Sequence, residues 1–317
     1  IYDFQRTPTQ VRIARINADA TRRDLDHTIS QVILGVKQGF YGLIQAEKNL
    51  DVARETLEQF QQHLSRAQGY FNAGLKPKFD VTKAEVDLGN ARLNFIRAEN
   101  ALRIARVNLN NALGVPSAPL DYVLTGDLSF QRQTLTQEEA VRQARDHRPD
   151  LQSLLLKQES ASQAVTLART AHYPTISGNA NYGFGGTEFP LDRGWSVGGS
   201  LNVPIFSGFM VRNQIAEAQA NLEVVKANVA VLEQQIRFEV EQAFSNLKEA
   251  EDRVGTTELT VRQAKENVEL ARGRYAAGVG NPIEVTDALV AQSNAKTAYI
   301  AALVDCRTAQ ASLEKAM

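Results

Sequence analysis

Four histidines, one cysteine and a pair of glycine-bearing turns are the first places to look for chemistry in this chain. His27, His63, His147 and His172 lie far apart and lack the spacing by which imidazoles converge on a metal. Cys306 is the only cysteine, so no intrachain disulfide forms, and its alanine-rich surroundings suit a small packing residue. Gly278-Val279-Gly280 has the glycines of a phosphate loop, but no strand precedes it and no lysine follows, so it reads as a turn between helices. Glu284 and Asp287 follow Pro282 at the start of a helix, where the partial positive charge of the helix end favours acids. No catalytic constellation emerges, and an enzyme is not expected.

The bulk numbers exclude other classes. The chain has 317 residues, 43% hydrophobic and 22% charged, with a formal net charge of −1. Phosphate binding needs a basic excess, so nucleic acid is not expected as a partner. No apolar run reaches the roughly 18–20 residues of a membrane-spanning helix. Ile1-Tyr2-Asp3-Phe4 has neither the basic nor the apolar region of a signal peptide.

The elements that hold these residues come from a duplication. Gly74 and Gly278 both close a helix and lie 204 residues apart, 278 less 74. At the same offset Asp80-Val81-Thr82 meets Glu284-Val285-Thr286, Phe95 meets Tyr299, Arg103 meets Arg307 and Phe40 meets Phe244. Residues 1–113 and 205–317 are therefore one unit used twice without a gap. Each copy reads as two long helices. Ile29, Val36, Leu43, Leu50, Leu57, Leu64 and Phe71 recur every seven residues, with Val32, Gly39, Ala46, Ala53, Phe60 and Ala67 three further on. Past the turn, Ala84, Ala91, Ala98, Ala105 and Ala112 repeat in the first copy, and Ala288, Ala295, Ala302, Ala309 and Ala316 in the second. Sustained heptads mean left-handed coiled-coil packing, and alanine at a seam lets helix axes approach closely. The heptads alone leave open a structural rod or the wall of a barrel. A helix from about Thr9 to Phe71 runs roughly 90 Å, more than most globular domains need.

Between the copies the period changes from seven to two. Ile176, Gly178, Ala180, Tyr182 and Phe184 share one face of residues 174–184, and Thr175, Ser177, Asn179 and Asn181 the other. Residues 195–205 alternate likewise, with Trp195, Val197, Gly199, Leu201, Val203 and Ile205 on one face. Such alternation predicts two strands joined by a Gly185–Gly194 loop, with the length and pattern of a membrane β-hairpin. In residues 114–173, Gly114-Val115-Pro116 stops a helix. Thr136 to Glu139 caps a short helix ending near His147, and Arg148-Pro149-Asp150-Leu151 opens another that runs to about His172.

Four features together resemble the TolC-like outer-membrane efflux protein family across the whole chain. They are the Arg148-Pro149-Asp150-Leu151 helix start, the Val203-Pro204-Ile205-Phe206-Ser207-Gly208 passage from strand to helix, the Tyr275-Ala276-Ala277-Gly278 turn with its Ile283 to Ala288 helix start, and the repeat itself. The resemblance implies a mainly α fold with a small β part. Long antiparallel coiled-coil helices would form an α-barrel wall, continued by the β-hairpin of a transmembrane β-barrel. Its segments would be residues 1–5, the end of a strand pair; 6–113, a first helical hairpin; 114–147, an equatorial segment; 148–173, a barrel helix; 174–205, the β-hairpin; and 206–317, the second helical hairpin. It further implies a homotrimer that crosses outer-membrane lipid, extends into the periplasm, and works with a periplasmic adaptor protein and an inner-membrane pump. The family's signal peptide, two helices and two strands are expected upstream of residue 1.

Site residues follow from the same resemblance. Tyr275 falls at a gate position, Asp287 and Glu284 at acidic positions of the constriction, and Asp80 at the acidic partner in the first copy. The turns Gly74, Leu75, Lys76, Pro77 and Gly278, Val279, Gly280, Asn281, Pro282 fall where the adaptor docks. The family's gate arginine aligns with Gly280, leaving Arg274 or Arg272 as the substitute cation toward Asp80. No cofactor or metal is expected. A periplasmic coiled-coil adaptor and a structural rod are the alternative readings; the first usually carries one helical hairpin flanked by β-rich domains, where this chain has two.

Overall fold

The structure is a computed structural model, and it describes residues 2–115, 124, 128, 135–185 and 192–317. Its elements are helices α1 (Arg6–Asn72), α2 (Lys78–Ala112), α3 (Gln137–His147) and α4 (Pro149–Thr170), strands β1 (Thr175–Gly185) and β2 (Asp192–Asn202), and helices α5 (Met210–Ala276) and α6 (Pro282–Ala316). The fold is mainly helical with one antiparallel hairpin. Every boundary of α5 and α6 is the matching boundary of α1 and α2 displaced by 204. The duplication thus extends to element length, with 67 residues in each long helix and 35 in each shorter one. Each long helix rises about 100 Å along its axis.

The helix ends follow from local chemistry. Gly74 (φ 70°) and Gly278 (φ 78°) take the left-handed conformation that lets the next amide reach back. Leu75 N donates to Tyr70 O and Val279 N to Arg274 O, so both turns satisfy the last carbonyls in the same way. Thr136 and Glu139 cap α3 reciprocally, the carboxylate accepting from the Thr136 amide at 3.1 Å and its hydroxyl at 2.8 Å. Arg148, only 3% exposed, clasps Asp150 with two hydrogen bonds, and Asp150 also accepts from Leu151 N. Burial raises the Asp150 carboxyl, but the Arg148 hydrogen bond and charge outweigh it and leave it below the usual range.

The β-hairpin register pairs Ile176 with Leu201, Gly178 with Gly199, Ala180 with Val197 and Tyr182 with Trp195. Ser177–Ser200, Asn179–Gly198 and Asn181–Ser196 pair on the opposite face. β2 ends at Asn202, short of the expected residue 205. Pro204 has no amide to donate, and β1 begins only at Thr175, opposite Asn202. Gly185 and Asp192 to Gly194, assigned to the loop from sequence, extend the ladder; the intervening residues 186–191 lie outside the described residues. Tyr2 forms an antiparallel bridge to Ile176, which places the N-terminal extended segment on the free edge of β1. Ile1 and half of the expected equatorial segment also lie outside the described residues.

The chain divides into two compact units, Ile1–Thr28 with Gln143–Phe238, and Ile29–Arg142 with Glu239–Met317. The boundaries read from the repeat do not coincide with these units, because α1 and α5 run through both. In the second unit α6 packs against both long helices. It meets α1 through Lys296–Glu55 (2.6 Å), Thr56–Ser293 (3.2 Å) and Lys37–Glu314 (2.5 Å), and α5 through Arg253–Asp305 (2.8 Å). Ala288, Ala295, Ala302 and Ala316 of its alanine row are all buried, whereas in α2 only Ala84 and Ala91 are. Not every predicted seam residue is covered: Ile29 and Val32 remain 47% and 54% exposed.

Candidate functional site

Four helices of the second unit converge beside the two turns. Phe60 of α1, Ala91 of α2, Val268, Ala271 and Tyr275 of α5, and Val285, Ala288 and Leu289 of α6 form one buried cluster, flanked by Leu57, Tyr70 and Leu88. Heptad spacing along each helix delivers these residues to one seam.

Polar groups are set into this apolar seam. Tyr275, 4% exposed, donates its hydroxyl to Asp80 Oδ2 at 3.2 Å, and Asp80 is itself 4% exposed. Seven residues on, Asp87 accepts from Thr286 Oγ1 at 2.9 Å and pairs with Lys83. Two buried carboxylates of α2 therefore each take a hydroxyl from the second copy, one from α5 and one from α6. Hydrogen bonds to buried charged groups are the stronger kind, and breaking one leaves a desolvated charge. Burial, with the charge and hydrogen bond of Asp80, pushes the Tyr275 hydroxyl up to about 12. The phenol is thus held as a donor.

Around the Tyr275 ring stand His63 and Tyr70, each with its centroid 5.8 Å away, and the ammonium of Lys76 at 5.0 Å. His63 is 6% exposed, and its burial pushes the imidazole below its ordinary value, against the pull of Asp87. A cavity of about 260 Å³ opens beside them, lined by His63, Arg66, Tyr70, Arg272 and Tyr275 among others. Burial, then the charge of Arg66, lowers Arg272. Among the described residues no group of histidine, cysteine and carboxylate side chains is arranged to hold a metal.

The structure brings together Tyr275, Asp80 and Lys76 from the expected site. Glu284 and Asp287 stay on the exposed side of α6, and Glu284 receives Arg274 Nε at 3.2 Å. Arg274 is therefore engaged away from Asp80, and Arg272 lines the cavity instead. Of the turn residues, Leu75 and Val279 are 67% and 70% exposed. Gly74 and Gly278 supply the left-handed turns, and Pro77 precedes α2 as its N-cap. Asn281 caps α6 by accepting from Ile283 N at 3.0 Å, and Pro282 occupies the first helical turn. Sequence reasoning missed three members: His63, Asp87 and Thr286. The heptad step from Asp80 to Asp87, and the match of Thr286 to Thr82, were signals for two of them.

The family model for outer membrane efflux proteins matches residues 1–115 and 140–317. The chain belongs to this family. It is 21% identical over 313 residues to outer membrane protein TolC of Vibrio cholerae serotype O1, an alignment covering 93% of this chain and 72% of that one. It is 25% identical over 300 residues to protein CyaE of Bordetella pertussis, covering 93% of this chain and 63% of that one. The Campylobacter jejuni CmeC outer membrane channel superposes with a TM-score of 0.83 at 19% identity, over 99% of this chain and 68% of that one. The resemblance read from the four sequence features and the α-with-hairpin architecture are both borne out. The chain spans only part of each relative's length, under two thirds of CyaE. None of its described helices is long and apolar enough to cross a membrane.

Proposed function

We propose that the chain is one protomer of a homotrimeric outer-membrane exit duct, through which a tripartite efflux or type I secretion system passes its cargo. The observation that carries this reading is the two-faced β-hairpin within a family of outer membrane efflux proteins. Trp195, Val197, Tyr182, Phe184 and Leu201 share one face and are 59–77% exposed. Over residues 175–183 and 194–202 the other face is threonine, serine, asparagine and glycine. Apolar side chains toward lipid and small polar ones toward a lumen is the pattern of a membrane barrel, and neither a soluble rod nor a periplasmic adaptor has a use for it.

Two exposed heptad rows support assembly from several copies. Phe79, Val86 and Leu93 of α2 are 45–60% exposed, and Val224, Val231 and Phe238 of α5 are 59–66% exposed. Apolar rows at coiled-coil spacing call for further helices, and neighbouring protomers supply them. The duct conducts passively, with no chemical step. Tyr275 and Asp80 latch the two hairpins at its closing end, and Asp287, repeated by symmetry beside Glu284, sets a negative field at the constriction. The exposed turns, Leu75 and Val279 above all, meet the periplasmic adaptor that links the duct to its inner-membrane pump.

Reconstitution in planar bilayers tests this. The protein purified from outer membranes should conduct, prefer cations, and lose part of that preference with Asp287→Ala. No conductance in the wild type or in any variant of the Tyr275–Asp80 latch would sink the reading.

A further inference from the structure

Lys76 and Gly280 occupy the same place in the two copies, 204 residues apart, yet their side chains are not interchangeable. A Cβ on Gly280 would stand 2.8 Å from Tyr275 N, 2.9 Å from the Arg274 carbonyl carbon and 3.0 Å from Arg274 Cβ. Two of those atoms are main chain, and the turn pins them there, since Gly280 N donates to Arg274 O at 3.0 Å. No side chain, and so no cation, fits at position 280 without displacing the last turn of α5. The first copy has no such barrier. Its turn places the ammonium of Lys76 5.0 Å from the centroid of the Tyr275 ring, and Lys76 is half-buried there.

From this geometry we infer that Lys76 is a positioning residue for the closing end of the duct: the first turn reaches across to the second copy with the cation that the second turn has no room to carry. The Tyr275 ring is then held twice from the first hairpin, by Lys76 through its π system and by Asp80 through its hydroxyl. The two contacts reinforce each other. A cation beside the ring draws electron density from it, which makes the phenol a better donor to the carboxylate. Parting the hairpins breaks both contacts together. The inference rests on the proposed reading of these turns as the duct's closing end, and it separates Lys76, which faces the other hairpin, from Leu75 and Val279, which remain free for a partner.

The test measures the ratio of open to closed conductance of the protein from outer membranes in planar bilayers. Lys76→Met keeps the aliphatic stem and removes the charge; Lys76→Arg keeps the charge. Each is placed in the wild-type, Tyr275→Phe and Tyr275→Leu backgrounds. Lys76→Met should raise the open ratio roughly two- to fivefold per protomer, the range of a partly exposed cation–π contact. Lys76→Arg should restore the closed ratio. The effect of Lys76→Met should persist with Tyr275→Phe, which retains a ring, and disappear with Tyr275→Leu, which does not. A lysine that merely stabilises its own turn would give the same increment in all three backgrounds, and that result overturns the inference. If Tyr275→Leu opens the duct while Lys76→Met does not, the inference fails and the duct reading stands. If Tyr275→Leu changes nothing, the closing-end reading fails and the inference with it.

Discussion

Tyr275→Phe removes one hydroxyl from the buried seam and leaves the ring in place. The lost hydrogen bond goes to a carboxylate that is 4% exposed, so its net value belongs to the charged class, about 1.5–3 kcal/mol. Its 3.2 Å length is long for a bond from a hydroxyl, which puts the estimate at the lower end, about 1.5 kcal/mol. Since about 1.4 kcal/mol is a factor of ten, each protomer's closed state should weaken about tenfold. If three protomers open together the factors multiply, to about a thousandfold. Two measurements follow the change: open probability in planar bilayers, and amide hydrogen exchange over the last turn of α5 and the first turns of α2 and α6. The contact also has a pH signature. A phenol held up to about 12 in the folded state and near 10.0 when free gives stability that is complete below pH 10 and lost as pH rises toward 12. Wild type should therefore loosen over that window by a margin that Tyr275→Phe lacks. A Tyr275→Phe protein with unchanged helicity, exchange and conductance would refute the reasoning, and would mean that the apolar cluster alone holds the hairpins together.

Two further outcomes are expected. His63 is buried with its imidazole held below the ordinary 6.5, so its contribution is complete above pH 6.5 and falls away as pH drops below it; thermal unfolding followed from about pH 7.5 to pH 5 should show wild type losing more stability than His63→Gln. Gly278 and Gly280 should respond differently to asparagine. Gly278→Asn meets open space at a φ of 78°, which asparagine tolerates, and should cost under about 1 kcal/mol in chemical denaturation. Gly280→Asn drives a Cβ against main-chain atoms at 2.8 and 2.9 Å and should cost about 1–3 kcal/mol.

Much of the fold could be read along the chain because its determinants are local or periodic. The two-residue alternation put Tyr182 and Trp195 each on the apolar face of its own strand, and the hairpin register pairs them across the ladder. Gly74 and Gly278 end their helices through the backbone conformation that glycine permits. The errors came where an element depends on its partner. Val203 and Ile205 continue the alternation, yet β2 stops at Asn202, because a strand lasts only as long as the ladder beside it. Ile29 and Val32 keep the heptad but are exposed, since a periodic position says which way a residue faces and not what covers it.

The sequence by itself determined the duplication, the element lengths, the glycine turns and the two faces of the hairpin, all of which rest on interactions within a few residues or on a repeated pattern. Only the tertiary structure decided what the polar residues near the turns do. Asp80 and Asp87 both carry the marks of solvated acids on a helix surface. They are buried hydrogen-bond acceptors because α5 and α6 bring Tyr275 and Thr286 against them from about two hundred positions away. Lys76 and Gly280 hold equivalent places in the repeat, but the approach of main-chain atoms at Gly280 leaves the cation to the first copy alone. Periodicity tells both copies of a repeat to fold alike; packing makes them unequal, because each copy meets different neighbours.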